Sequence, residues 1–205
     1  HNVSVLKAAL PANAELMGVV KREAYGHGSY AVATHLEKTG VKAFAVATID
    51  EGIALRRYGI RGEILILGFT DVRRAKELKT YRLSQTLIDF PYAEKLNRQK
   101  IPVSVHIAID SGMHRLGLDT DDLANVQKLF QMKHLHIQGI FTHLCCADSR
   151  KPEDISFTRK QIRSFYGLIS QMETAGLPIP KIHLQSSYGL LNYPDLQVGG
   201  QAVLG

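Results

Sequence analysis

A chain of 205 residues that is 45% hydrophobic and 21% charged holds enough apolar side chains for one sizeable core, and too many to stay unfolded. Its net charge of +6 is scattered rather than gathered into basic runs, and no stretch approaches the ~20 apolar residues of a membrane span, so neither a nucleic-acid partner nor a membrane segment is expected. The two cysteines, Cys145 and Cys146, are neighbours that rarely pair, which argues for a reducing compartment; His143 nearby does not make a zinc set, so no metal is expected.

In chain order, residues 2–10 have helical periodicity. The opening His1-Asn2-Val3-Ser4 shows neither signal peptide nor initiator methionine, and a piece of a longer protein is expected. Residues 16–21 form the first strand signal, followed by a helix over 30–38 that stops at Gly40. Strands over 43–47, 63–68 and 84–88 alternate with helices over 50–58, 71–79 and 91–99. In the fifth strand, 103–109, Val103, Val105, Ile107 and Ile109 alternate with Ser104, His106, Ala108 and Asp110. A helix over 120–131, a strand over 135–143, a long helix over 155–175 and a strand over 181–185 complete the pattern, and residues 201–204 start an eighth strand.

Strands separated by helices point to a parallel sheet. Eight strands close a (β/α)8 barrel, whose active residues sit at the strands' C-terminal ends. The expected domain therefore runs over residues 1–205. An open doubly wound sheet is the second choice, because Gly26-His27-Gly28 lacks the G-x-G-x-x-G spacing of that fold.

Unusual polar residues do fall at strand ends. Met17, Val19 and Lys21 share one strand face, which sets an amine on an apolar surface; burial disfavours its charged form and suits Schiff-base chemistry. Strand five runs into Asp110-Ser111-Gly112-Met113-His114-Arg115-Leu116-Gly117, strand six into Phe141-Thr142-His143-Leu144-Cys145-Cys146, and strand seven into His183-Leu184-Gln185-Ser186-Ser187-Tyr188-Gly189. Each has a plainer explanation. Lys21 could be solvated, Arg115 a surface residue in a Gly-rich turn, His143 a hydrogen-bonded core histidine, and Ser187 an N-cap before residues 188–192. Turn and loop polarity accounts for His27 and His114.

The segment Lys21-Arg22-Glu23-Ala24-Tyr25-Gly26-His27-Gly28, of the form K-x-x-A-Y-G-H-G, closely resembles the signature of the alanine racemases, which use pyridoxal phosphate. The other three segments resemble the same family in the same chain order. The resemblance implies a PLP-binding (β/α)8 barrel that racemises a small amino acid for cell-wall precursor synthesis. Lys21 would hold the cofactor and move a proton on one face of the substrate, Tyr25 would donate to the phosphate, Arg115 would face the phenolic oxygen, and His143 would lie against the ring. Ser187 would hold the phosphate, with backbone N–H groups near Gly200 and a helix N-terminus. The Gln185 to Leu191 variant also resembles the serine/alanine racemases of vancomycin-resistance clusters, so serine is a second substrate choice. A cytoplasmic homodimer is implied, with any membrane anchor in a separate region.

Several residues depart from the family. Ala108 stands where many members have a lysine that positions the arginine, Ser186 replaces an asparagine, and Arg22 replaces a small residue. Around Gly199 the arginine that faces the pyridine nitrogen is missing. The family continues into a β-rich domain carrying the opposite-face tyrosine base, which this sequence does not include, so the fragment alone is expected to racemise poorly. The rival readings are a non-catalytic PLP-binding barrel and a plain barrel scaffold.

Overall fold

A computed structural model describes residues 2–8, 10, 14–193 and 202–204, with backbone only for Gln185 and 202–204. The strands are β1 (Glu15–Val19), β2 (Ala43–Val46), β3 (Glu63–Ile66), β4 (Ser84–Leu87), β5 (Val103–Asp110), β6 (Leu118–Asp119), β7 (Leu135–Phe141), β8 (Lys181–Gln185) and β9 (Ala202–Leu204). Every pairing is parallel. The order β4-β3-β2-β1-β9-β8-β7-β5 is closed by β4 against β5, so strands that follow one another in sequence form a ring. That closure excludes the open doubly wound sheet. The two-residue β6 lies outside the ring against the end of β5.

The helices are α1 (Asn2–Ala8), α2 (Lys21–Gly26), α3 (Ser29–Lys38), α4 (Ile49–Arg57), α5 (Ala75–Thr80), α6 (Phe90–Asn97), α7 (Leu123–Phe130), α8 (Pro152–Thr174) and α9 (Ser187–Asn192). Local chemistry sets where they start. Asp89 accepts from Tyr92 N at the head of α6, where Pro91 fits the first turn, and Asp122 does the same for Asn125 N at α7. The expected helix over 71–79 is instead a 3₁₀ turn, Val72–Arg74, followed by α5, because Asp71 caps Arg73 N and tightens the first turn. The helix expected over 120–131 is shortened at its start, since β6 takes the chain up to Asp119.

Two apolar layers result. The larger packs the outward faces of the strands, such as Phe44, Ile64, Val105 and Ile140, against the helices. The smaller, Met17, Ala43, Ala45 and Leu65, fills one side of the ring's interior. The other side is polar. His106 is wholly buried there; its Nε2 meets Glu63 Oε1 at 2.8 Å and its Nδ1 meets His183 Nε2 at 2.9 Å, while Ser84 Oγ donates to Glu63 at 3.1 Å. The polar set of the β5 alternation thus faces inward, as parallel strands buried on both faces allow.

Candidate active site

All the expected site residues that can be placed lie beyond C-terminal strand ends, around one cavity of about 640 Å³. Lys21, Tyr25, Arg115, His143 and Ser187 all line it, over a floor that includes Met17, Val19, Phe141 and His183. Gly200 lies outside the described residues, as does the departure at Gly199.

Lys21 does not continue β1. The strand ends at Val19, Val20 N donates to Ala45 O at 2.9 Å, and Lys21 opens a turn in which Arg22, Glu23, Ala24 and Tyr25 all have φ between 48° and 56°. This is a left-handed helical turn, which costs an L-residue roughly 1–2 kcal/mol each. It turns the chain back over the barrel mouth, so that Lys21 Nζ stands 6.0 Å from the centre of the Tyr25 ring. His27 Nδ1 lies 2.9 Å from Ala24 O, which fits a structural role in the turn.

Arg115 is aimed by the loop after β5. Asp110 gathers that loop, accepting from Gly112 N at 2.9 Å and His114 N at 3.0 Å, with His114 Nδ1 3.3 Å away. Burial pushes the Asp110 carboxyl up; the amides of His114, Gly112 and Met113 with the charge of His114 together more than reverse it, and it stays below the usual carboxylate range. Gly117 ends the loop at φ 116°, where a Cβ would stand 2.7 Å from Asp110 N.

His143 follows β7 in a loop held from below by Gln161 of α8. The buried Gln161 side chain donates through Nε2 to His143 O at 3.1 Å and Ser111 Oγ at 3.2 Å, and accepts from Cys145 N at 3.3 Å. His143 opens to the cavity mouth, yet partial desolvation, then the charges of Arg115 and Lys21, hold its pKa below the ordinary 6.5. Cys145 and Cys146 are free, with Sγ atoms 3.8 Å apart. Ser186, rather than Ser187, caps α9: its Oγ accepts from Gly189 N, which leaves Ser187 in the first turn at the cavity wall.

No carboxylate lines the cavity among the described residues, and neither Lys21 Nζ nor the Arg115 guanidinium has an ion-pair partner among them. An aldehyde that also bears a phosphate and a phenolic oxygen fits this set: the amine of Lys21, the guanidinium of Arg115, and the hydroxyls of Tyr25 and Ser187.

The profile described as "Alanine racemase, N-terminal domain" matches residues 1–202. The chain belongs to the alanine racemase N-terminal-domain family. That family uses pyridoxal phosphate. Among its members, an amino-acid racemase of Enterococcus faecalis is 53% identical over 198 residues, 97% of this chain and 28% of the relative. A serine/alanine racemase of Enterococcus gallinarum is 41% identical over 96% of this chain, again 28% of the relative. Among solved structures, alanine racemase of Clostridium difficile 630 superposes with a TM-score of 0.90 at 31% identity, over 100% of this chain and 54% of that one. The chain thus spans from about a quarter to about half of the racemases it resembles.

The cavity also holds what the sequence did not single out. His183 was visible only as a letter in a motif; in the fold it is a buried floor residue, stacked on Phe141 with ring centres 4.7 Å apart. His106, Glu63 and Gln161 came from three further elements, and only the closed ring brings them under the site.

Proposed function

We propose that this chain is the cofactor-holding barrel of a PLP-dependent amino-acid racemase, acting on alanine with serine as the second substrate, and supplying D-amino acid for peptidoglycan precursors on the cytoplasmic side. The observation that carries this reading is one amine, Lys21, sharing with Arg115, His143, Tyr25 and Ser187 a cavity whose described lining holds no carboxylate. Bound pyridoxal phosphate supplies an electron sink that makes the α-proton of an attached amino acid removable. Lys21 Nζ would hold the cofactor through its aldehyde and would take or return the α-proton on one face of the substrate. Tyr25 and Ser187 would donate their hydroxyls to the phosphate. Arg115 would stabilise the phenolic oxygen as an anion, and His143, its pKa held below the ordinary value, would sit beside the ring without adding a positive charge.

Racemisation takes a base on each face. We place the second base outside the described residues, in a longer polypeptide working as a homodimer; that the relatives are about two to four times as long as the stretch matched here supports the longer polypeptide. The relatives' names support both substrates, serine/alanine for one and alanine for many. The test is to add pyridoxal phosphate and read the visible absorbance of a lysine-held cofactor, then assay D/L interconversion of alanine and serine in the native-length protein. Lys21→Ala should remove the band and slow interconversion by about 100-fold or more. No band in the wild type sinks both cofactor readings, and a band without interconversion leaves a carrier.

A further inference from the structure

Arg22, Glu23, Ala24 and Tyr25 sit at positive φ, and L-residues stay there only where the surroundings fix them. Two carboxylates do the fixing. Glu23 folds back on the start of α3, accepting from Ser29 N and Oγ, both at 3.0 Å. Glu51 reaches over from the first turn of α4. Its Oε1 accepts from Arg22 N at 2.7 Å, and its Oε2 from Ala47 N at 2.6 Å and Thr48 N at 3.2 Å. Thr48 Oγ1 accepts in turn from Glu51 N, which completes a capping box. A capping box needs one carboxylate oxygen. The other is committed to the first amide after Lys21, the residue that carries the amine.

We propose that Glu51 is a positioning residue for Lys21: it grips Arg22 N with one oxygen and the β2–α4 connection with the other, ties the left-handed turn to the barrel rim, and so sets where Lys21 Nζ stands. The inference rests on the reading of Lys21 as the cofactor's anchor. A glutamine at 51 has one acceptor oxygen. It can serve the cap or Arg22 N, and its NH2 group then opposes a donor on the other side. Thr48→Ala is the matched control, because it removes half of the capping box and leaves the Arg22 contact alone.

The experiment uses the native-length protein and pyridoxal phosphate itself. Affinity is read from visible absorbance, and attachment from borohydride fixation followed by peptide mass. Wild type should carry the fixed group on Lys21. Glu51→Gln should bind about tenfold more weakly, the worth of one charge-assisted hydrogen bond, with less of the group fixed on Lys21. Thr48→Ala should lower the melting temperature and keep wild-type affinity. If Glu51→Gln does not fold, Glu51→Asp, too short to reach both sides, carries the same comparison. Glu51→Gln binding like wild type, or losing affinity only as Thr48→Ala does, overturns the role of Glu51 alone. A wild type without the group on Lys21 overturns the cofactor reading, and this inference with it.

Discussion

Gly139 in β7 has no side chain because His106 occupies the space for one: a Cβ there would stand 2.3 Å from His106 Nδ1. Gly139→Ala should therefore push the ring off its line to Glu63 and His183, and destabilise the protein by about 1–3 kcal/mol, read from urea unfolding. A midpoint equal to wild type would show that the barrel interior can yield there. At this scale the sequence was a partial guide. The alternation of β5 was legible, and so were Lys21, Tyr25, Arg115, His143 and Ser187 as members of motifs. What could not be read was which face of β5 points inward, since a strand buried on both sides gives no solvent-facing set to orient it. His106 consequently looked like the polar side of an ordinary strand, and its partners lie 43 and 77 residues away.

Among the elements, α8 bears most directly on the site. Gln161 joins this long helix to the loops after β5 and β7, so one side chain holds both Arg115's loop, through Ser111, and the backbone of His143. Gln161→Leu keeps the bulk and leaves Ser111, His143 O and Cys145 N without this partner. We expect a loss of about 2–4 kcal/mol in urea unfolding, as for stranded buried polar groups; a loss under about 0.5 kcal/mol would mean that the loops hold themselves. Helix positions were legible from periodicity and caps, but ends were not. The strand was expected to run through Lys21, whereas it stops at Val19, because nothing in local propensity announces four left-handed residues that depend on Glu51 and Ser29 from other segments.

For the molecule as a whole, the number and order of strands were legible because each strand–helix unit carries its own period, and closure followed from the count. The polar half of the interior was not, and it governs behaviour in acid. Burial, then the charges of His106 and Lys181, hold the pKa of His183 well below 6.5. Below pH 6.5 an unfolded chain binds a proton that folded His183 refuses, so stability falls as pH drops; above it both states are neutral there, and the slope vanishes. The Glu63 carboxyl acts in the same direction at lower pH: burial raises its pKa, the contact with His106, the charge of Lys181 and the Ser84 hydrogen bond together more than offset this, and its stabilisation is lost as pH falls below 4.5. Urea midpoints should be flat at neutral pH and decline through pH 6 to 5; midpoints that rise toward acid would contradict a neutral His183.

The absence of any acidic group from the described lining of the mouth also matters before chemistry begins. The charged side chains of the described lining, Lys21 and Arg115, are both cationic, a sign that favours the approach of a doubly charged aldehyde phosphate, and dissolved salt screens that pull over about 10 Å at 0.1 M. Inorganic phosphate or sulfate in a purification buffer would compete for the same two cations, so the ease with which the empty barrel charges itself depends on the solution it is stored in.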